Sequence, residues 1–265
     1  MNTMRLSTIL LAAITALVAI LLYSPLFVPI VSSFFVINHG QADWSTPTLS
    51  AYIALTENTD VLAALRATLI VGLCTVVLSV VCGTLLALYY HSHRAGGGAL
   101  QFIVFLPFLM PPVISGLALL IFFREINFDR SLVTIVIGHT IFVLAIVYRT
   151  ILTRLQSVSR TLVEASYDLG ANGWQTFWRV ILPNLSSAMA GGAILAFALS
   201  FDETMITILV TGTQSTLPVR LWAMMRLGFS PDINALVALV LLFTVLLCSL
   251  TVRFLIPKQV AGFHG

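Results

Sequence analysis

Six long apolar runs decide what this chain can become. They lie near 7–31, 62–90, 100–123, 132–152, 184–210 and 233–256. Each reaches the length of about 20 residues that a helix needs to cross roughly 30 Å of hydrocarbon. Lipid offers no partner to a bare peptide group, so such runs are expected to be helices that close their own backbone bonds. Only 9% of the residues are charged, against about 25% in an ordinary soluble domain. The expectation is an all-α membrane protein with six transmembrane helices, and 265 residues leave little room for a soluble domain beside them. The first run is too long for the apolar part of a signal peptide and lacks a small-residue cleavage site, so it reads as a retained span.

Lysine and arginine set the orientation. With the N-terminus inside, the cytoplasmic side holds eight of them: Arg5, Arg94, Arg149, Arg154, Arg160, Arg179, Arg253 and Lys258. The other side holds five: Arg66, Arg124, Arg130, Arg220 and Arg226. Both termini are then cytoplasmic. The first outer loop, Asn38 to Asp60, carries Asp43, Glu57 and Asp60, with Trp44 and Tyr52 suited to a membrane interface.

Several features exclude chemistry. Cys74, Cys82 and Cys248 lie in apolar runs without metal-ligand spacing and read as small core residues. His91 and His93 flank a glycine run that lacks the following Lys-Ser/Thr of a phosphate-binding loop, so no metal site and no nucleotide loop is expected there. No nucleophile stands at workable spacing from a base, and the basic residues are too scattered to suggest nucleic acid. Pro107, Pro111 and Pro112 sit inside the third run and predict a kinked or broken helix held in a bundle.

Ionisable groups inside spans are costly and therefore informative. His139 lies within the fourth run and is expected to hydrogen-bond across the bundle. Arg149 and Arg154, near the end of the same run, read as orientation and lipid-phosphate contacts. Asp202 and Glu203 fall toward the outer end of the fifth run, roughly 28 Å from Pro183 at the helical rise. Adjacent helical residues point about 100° apart, so both cannot face one path equally. One reading is an acidic lining for a cation, with the second carboxylate meeting a neighbour such as Arg66 or Arg226. The other is an interfacial pair that snorkels into water. Both stay open.

One stretch between spans is too polar to cross a bilayer: Arg160 to Pro183. Thr161 and Glu164 have capping-box spacing, Gly170 suits a helix stop, and Asn172 with Gln175 can open a second helix. Two short amphipathic helices in water suggest a docking element.

The same stretch resembles the EAA motif of ABC-importer permeases. That pattern is E-A-A, three residues, Gly, nine residues, Ile, one residue, Leu-Pro. Glu164, Ala165, Gly170, Leu182 and Pro183 match in register, while Ser166 and Val180 depart from it. The resemblance extends over almost the whole chain. Ser200 to Glu203, Val210 to Gly212, Thr216 to Trp222 and Arg226 to Leu236 are similar to the C-terminal third of spermidine/putrescine-type permeases. Asp232 stands where such proteins often carry Glu, and Ala145 where a proline is common.

The resemblance implies a type I ABC importer permease fold with a cytoplasmic coupling helix. It divides the chain into a first transmembrane helix and outer loop (1–60), a transmembrane core (61–256) and, within it, a coupling loop (160–183). It implies that Glu164, Ala165, Asp168, Gly170, Leu182 and Pro183 couple to an ATPase, and that Phe201, Asp202 and Glu203 border a polyamine path. ATP and magnesium would be bound by the partner, so no cofactor and no metal is expected on this chain. The implied partners are two ATPase subunits, a second permease of similar or identical sequence, a periplasmic or extracellular solute-binding protein, and the lipid of a bacterial inner membrane. Related permeases carry iron, phosphonates or molybdate. An ion-coupled secondary transporter would instead need inverted repeats and paired midplane charges, and no repeat is evident. A scaffold without solute movement is the third class.

Overall fold

Long helices dominate the computed structural model, which describes residues 2–38, 41–92, 97–227 and 231–255. His93, Arg94, Gly228–Ser230 and Lys258 lie outside those residues, and for Arg5, Cys248 and Arg253 only the backbone is described. Among the described residues, four helices are long and apolar enough to cross a membrane, or five if one bent pair counts as a span. The expected count of six is not reached. Within the last run, the apolar helix counted among the described residues is Asp232–Leu246. The described chain falls into two compact units.

The first unit joins Met1–Leu62 with Leu221–Ser249. It opens with α1 (Asn2–Ser32), whose apolar side chains from Ile9 to Val28 are mostly exposed and must meet lipid or another subunit. The expectation of an all-α chain needs correction here. Strands β1 (Phe35–Asn38) and β2 (Gln41–Pro47) form an antiparallel hairpin. Phe35 packs edge-on to Trp44 at 5.1 Å, a cross-strand aromatic pair of the kind that stabilises a hairpin. Ser45 donates to Asp43 through both hydroxyl and amide, and these bonds hold the Asp43 carboxyl below its usual range. Helix α2 (Ser50–Glu57) follows. Its Tyr52 hydroxyl lies 2.7 Å from Ser33 Oγ, which ties the interface loop to the end of α1. Helix α12 (Pro231–Leu255) begins in this unit, and α3 (Thr59–Ser92) leads out of it.

The second unit, which includes Ala63–Arg220, carries both candidate sites. After α3 come α4 (Gly97–Leu109) and α5 (Pro112–Glu125). They meet at 104°, which makes the third apolar run a broken helix, as its prolines predict. Pro111 has ψ 134°, the extended conformation forced on a residue before proline. Pro112 then opens α5 from a first-turn position, where its missing N–H costs nothing. The break would orphan the Pro107 carbonyl, because its helical partner four residues on is Pro111. The Ser115 hydroxyl covers it at 3.3 Å.

Helix α6 (Leu132–Gln156) is the centre of this unit. Val143, Ala145, Val147, Tyr148, Ile151 and Leu152 along it are fully buried. They pack against α9 (Leu182–Asp202), α4 and the Ala87 region of α3. The fifth run is not one helix. After α9 the chain breaks at Glu203 and Thr204, then resumes as α10 (Met205–Val210). Helix α10 lies on α5 and α6, with Ile206 against two glycines. A Cβ on Gly138 would stand 2.7 Å from Ile206 Cγ2, so only a bare backbone allows this approach. Helix α11 (Leu217–Leu227) follows, its Leu217 amide capped by Thr68 Oγ1 at 2.7 Å.

The closest backbone approach is at Gly212, where an added Cβ would lie 2.2 Å from the Arg130 carbonyl oxygen. At Gly191, within α9, it would meet nothing within 4 Å. Gly212→Ala is therefore expected to cost about 1–3 kcal/mol of stability. Gly191→Ala is expected to be neutral or to gain up to about 1 kcal/mol from helix propensity. Thermal unfolding of the detergent-solubilised protein separates the two, with a lowered Tm for the first variant only.

Candidate functional site

The polar stretch folds as two helices set across a tight turn. Helix α7 (Arg160–Asp168) precedes α8 (Gly173–Thr176), and a π-helical turn (Phe177–Ile181) leads into α9. Gly170 stops α7 as expected. Its φ is +82°, its N–H bonds the Tyr167 carbonyl, and the Ala171 N–H reaches back to Ser166. These are the two bonds of a Schellman stop. The second helix opens as expected too: Asn172 Oδ1 accepts from the Gln175 amide at 2.9 Å, and Gln175 Oε1 accepts from the Asn172 amide at 3.0 Å.

The capping box expected at Thr161 and Glu164 does not form. Helix α7 starts two residues earlier, behind Ser159, which makes no capping bond, and Ser159 Oγ pairs with Thr161 Oγ1 instead. Glu164 Oε1 accepts from Arg160 Nε at 2.8 Å, one helical turn back. That pair is 91% and 56% exposed. It contributes at most about 0.5 kcal/mol, the usual limit for an exposed pair on one helix. Glu164 is thus largely free to face water.

Ser166, read in the sequence as a mild departure, closes the loop. It is buried, and its hydroxyl donates to the Val163 carbonyl at 2.7 Å. With its one proton used, it accepts from Thr176 Oγ1 at 2.9 Å. This clamp locks α7 to α8. The only hint in the sequence is a Ser and a Thr ten residues apart on facing sides of a turn.

Pro183 explains the π turn. An α-helix would ask residue 183 to donate to the Arg179 carbonyl, which a proline neither does nor has room for. The chain widens instead, and the Leu182 N–H bonds Phe177, five residues back. Asn184 Nδ2 donates to the Val180 carbonyl at 2.7 Å. Arg154, expected to contact lipid phosphate, donates from Nε to the Asn184 carbonyl at 2.9 Å. The end of α6 is thus fastened to the start of α9, directly behind the loop.

The exposed face of the loop is apolar and aromatic. Leu169 is 88% and Trp174 is 70% exposed. Trp174 and Trp178 meet edge-on at 5.5 Å. A cavity of about 1220 Å³ lies behind the loop, among Tyr90, His91, Gln156, Arg160 and Tyr167. Ala165, Asp168 and Pro183 are exposed, and Leu182 is half-buried.

At the other end of α9, the two carboxylates part company. Asp202 is exposed. Glu203 is 8% exposed, and its Oε1 accepts from the Ile206 amide at 2.9 Å, capping α10. Neither Arg66 nor Arg226 is its partner in this bond. Arg226 instead stacks on Trp222, 3.6 Å from the ring centroid. Phe201 is half-buried, tilted against Phe197 at 5.9 Å. His139 does bond across the bundle, to Ser200 and Thr207 at 2.8 Å each. Among the described residues, no group of His, Cys, Asp and Glu could hold a metal ion.

A bundle of broken apolar helices with a capped aqueous loop between two of them defines a helical membrane permease. Residues 77–257 match the family of the binding-protein-dependent transport system inner membrane component, and the chain belongs to it. The putrescine transport system permease protein PotI of Escherichia coli strain K12 is 32% identical over 83% of this chain and 81% of its own length. The spermidine/putrescine transport system permease protein PotC of the same strain is 28% identical over 85% and 86%. A crystal structure of a bacterial ABC transporter that imports the acidic polysaccharide alginate superposes with a TM-score of 0.77, at 15% identity, over 97% of this chain and 99% of that one. The fold is that of an ABC importer permease. This chain is the permease component of such an importer, located in the inner membrane, and not an enzyme itself.

Gly170 has open space where a side chain would go, so substitution there tests backbone conformation alone. Gly170→Val is expected to cost about 1–2 kcal/mol, the penalty for a left-handed L-residue. Gly170→Asn should cost less, since Asn tolerates that region. Hydrogen exchange at residues 165–172 reads the difference: faster for Val, near the parent for Asn.

Proposed function

We propose that this chain forms one half of the membrane path of an ATP-driven importer for a small organic cation, most simply a polyamine. The observation that carries the reading is the pairing of a putrescine permease relative at 32% identity with an exposed carboxylate, Asp202, at the helix break. A carboxylate in a partly dehydrated path attracts an ammonium more strongly than one in bulk water, because Coulomb energy varies inversely with effective dielectric. Release must follow capture, so a single exposed carboxylate suits an importer better than a closed acidic cage.

In this reading the chain crosses the membrane six times, with both termini in the cytoplasm. The loop from Arg160 to Pro183 docks in a groove on an ATPase subunit, with Leu169, Trp174 and Trp178 as its apolar face and Glu164, Ala165 and Asp168 beside them. Two ATPases, a second permease and an external binding protein complete the complex. A solved relative of the fold, a bacterial alginate transporter, is seen with a substrate-bound periplasmic protein, which supports the last of these. Closure of the ATPases would push α7 and α8 as one body, because the Ser166–Thr176 clamp allows no slip between them. The push would travel into α9 through the π turn. This is rigid-body coupling between a nucleotide site and a distant path.

Transport in proteoliposomes containing the full complex tests the solute. Labelled putrescine or spermidine should be taken up in preference to an anionic solute. Asp202→Asn should slow uptake about tenfold at low concentration, on the scale of one charge-assisted contact. Glu203→Gln should be milder, since its amide oxygen can still cap α10. Preference for the anion, or parental uptake by Asp202→Asn, would overturn the cation reading and leave the family assignment untouched.

The topology has its own test. A cysteine replacing Ser157 should resist an impermeant thiol reagent in intact cells, and one replacing Ser215 should react. The reverse pattern would reject this orientation.

A further inference from the structure

The fifth apolar run is broken where an uninterrupted helix would be cheapest in lipid. Glu203 has ψ 106°, outside the helical range. The break is held by side chains on both flanks. Glu203 Oε1 caps the Ile206 amide, and Thr207 Oγ1 donates to the Glu203 carbonyl at 2.8 Å. Each bond is local to the break, and neither fixes the angle between the helices on its two sides.

His139 does. It projects from α6 about two turns from the helix start, with no exposed surface. One ring nitrogen, Nδ1, lies 2.8 Å from Ser200 Oγ on α9, before the break. The other, Nε2, lies 2.8 Å from Thr207 Oγ1 on α10, after it. Proton counting fixes the direction of both bonds. Thr207 spends its one proton on the Glu203 carbonyl, so toward His139 it accepts, and Nε2 must carry the hydrogen. In the neutral ring Nδ1 is then an acceptor, and Ser200 donates to it. A single side chain thus grips the two helices across their break, and the chain of bonds runs from Ser200 through His139 and Thr207 to the backbone of Glu203.

Helix α10 has little freedom of its own. Ile206 is fully buried against Gly116 and Gly138. What His139 can set is therefore the direction in which α9 ends. Asp202 is the last residue of α9 and is exposed.

We propose that His139 is a positioning residue for the solute path: by bonding Ser200 and Thr207 on opposite sides of the break, it fixes where the Asp202 carboxylate stands. This rests on the reading that Asp202 lines a path for a cation. His139 itself does not touch the solute. Its loss changes how tightly the path holds a cation at low concentration, and leaves the ATPase-facing loop as it was.

Isosteric variants test it. Thr207→Val keeps the shape and removes the hydroxyl. His139→Gln carries an amide N–H toward Thr207 and a carbonyl oxygen toward Ser200, whereas His139→Asn, one methylene shorter, cannot reach both. In the full complex in proteoliposomes, with labelled putrescine, Thr207→Val and His139→Asn should raise the half-saturating concentration about three- to tenfold, the equivalent of one net hydrogen bond. Maximal uptake and stimulated ATPase should stay within about twofold of the parent, on the same energy scale. His139→Gln should restore the parental half-saturation. Asp202→Asn is run beside them. If it raises half-saturation while Thr207→Val and His139→Asn do not, the proposal is overturned and the path reading stands. If those variants lower only the maximal rate or the yield of assembled complex, His139 is merely structural and the proposal is again overturned. If Asp202→Asn transports like the parent, the path reading fails and the proposal falls with it.

Discussion

Inside a bilayer every backbone polar group must find a partner within the protein, and that single demand organises this structure. Among the described residues of the second unit, three interruptions of the helical ladder each have a polar side chain bonded to the nearby backbone. Ser115 covers the Pro107 carbonyl at the α4–α5 break. Asn184 bonds the Val180 carbonyl where Pro183 forces a π turn. Glu203 and Thr207 satisfy an amide and a carbonyl where α9 gives way to α10. An interruption of this kind costs several kcal/mol if left bare.

This explains which parts of the fold the sequence discloses. Length and apolarity announce a span, and proline announces a break, so the long helices and the bend near Pro111 are legible. Gly170, Asn172 and Gln175 are legible because their roles are local, within four residues of chain. The break at Glu203 is not legible. No proline or glycine marks it, and Asp202-Glu203 reads equally well as part of one continuous helix. What makes it is tertiary: a histidine 64 residues earlier in sequence than Glu203, and two glycines on other helices that leave room for Ile206. The bond made by Arg154 is illegible for the same reason. An arginine at a span's end usually faces lipid phosphate, and only the fold brings the Asn184 carbonyl within its reach. The outer hairpin escaped because seven- and four-residue strands leave no long pattern.

The capping box at Thr161 shows the opposite error, a local signal that is outbid. Spacing permits Thr161 and Glu164 to pair, but the helix starts at Arg160 and takes Thr161 inside it, where its hydroxyl meets Ser159. Arg160, one turn before Glu164, then offers the carboxylate an opposite charge. The carboxylate turns toward the guanidinium, and the helix begins without a side-chain cap. For an element that must present its face to water or to a partner, a frayed start matters less than a firm stop. The stop at Gly170 and the Ser166–Thr176 clamp are where the loop is rigid.

Helix α6 then acts as a straightedge against which the broken fifth run is held at three levels. At one end the Thr134 hydroxyl reaches the Val210 carbonyl at 2.7 Å. A quarter of the way along, His139 bonds Ser200 and Thr207. At the other end Arg154 bonds Asn184. From Thr134 to Arg154 is roughly 30 Å at the helical rise, the thickness of a bilayer core. The three levels are not alike. Thr134 and His139 have no exposed surface, whereas Arg154 is exposed. A bond to a buried polar group is costly to break, because the group is left without water. A bond to an exposed guanidinium can be exchanged for solvent at little cost. The fifth run is therefore held firmly at the end that carries Asp202 and yields most easily at the end that meets the loop. A push on the loop would tilt α9 about its far end and leave the Asp202 carboxylate close to its place.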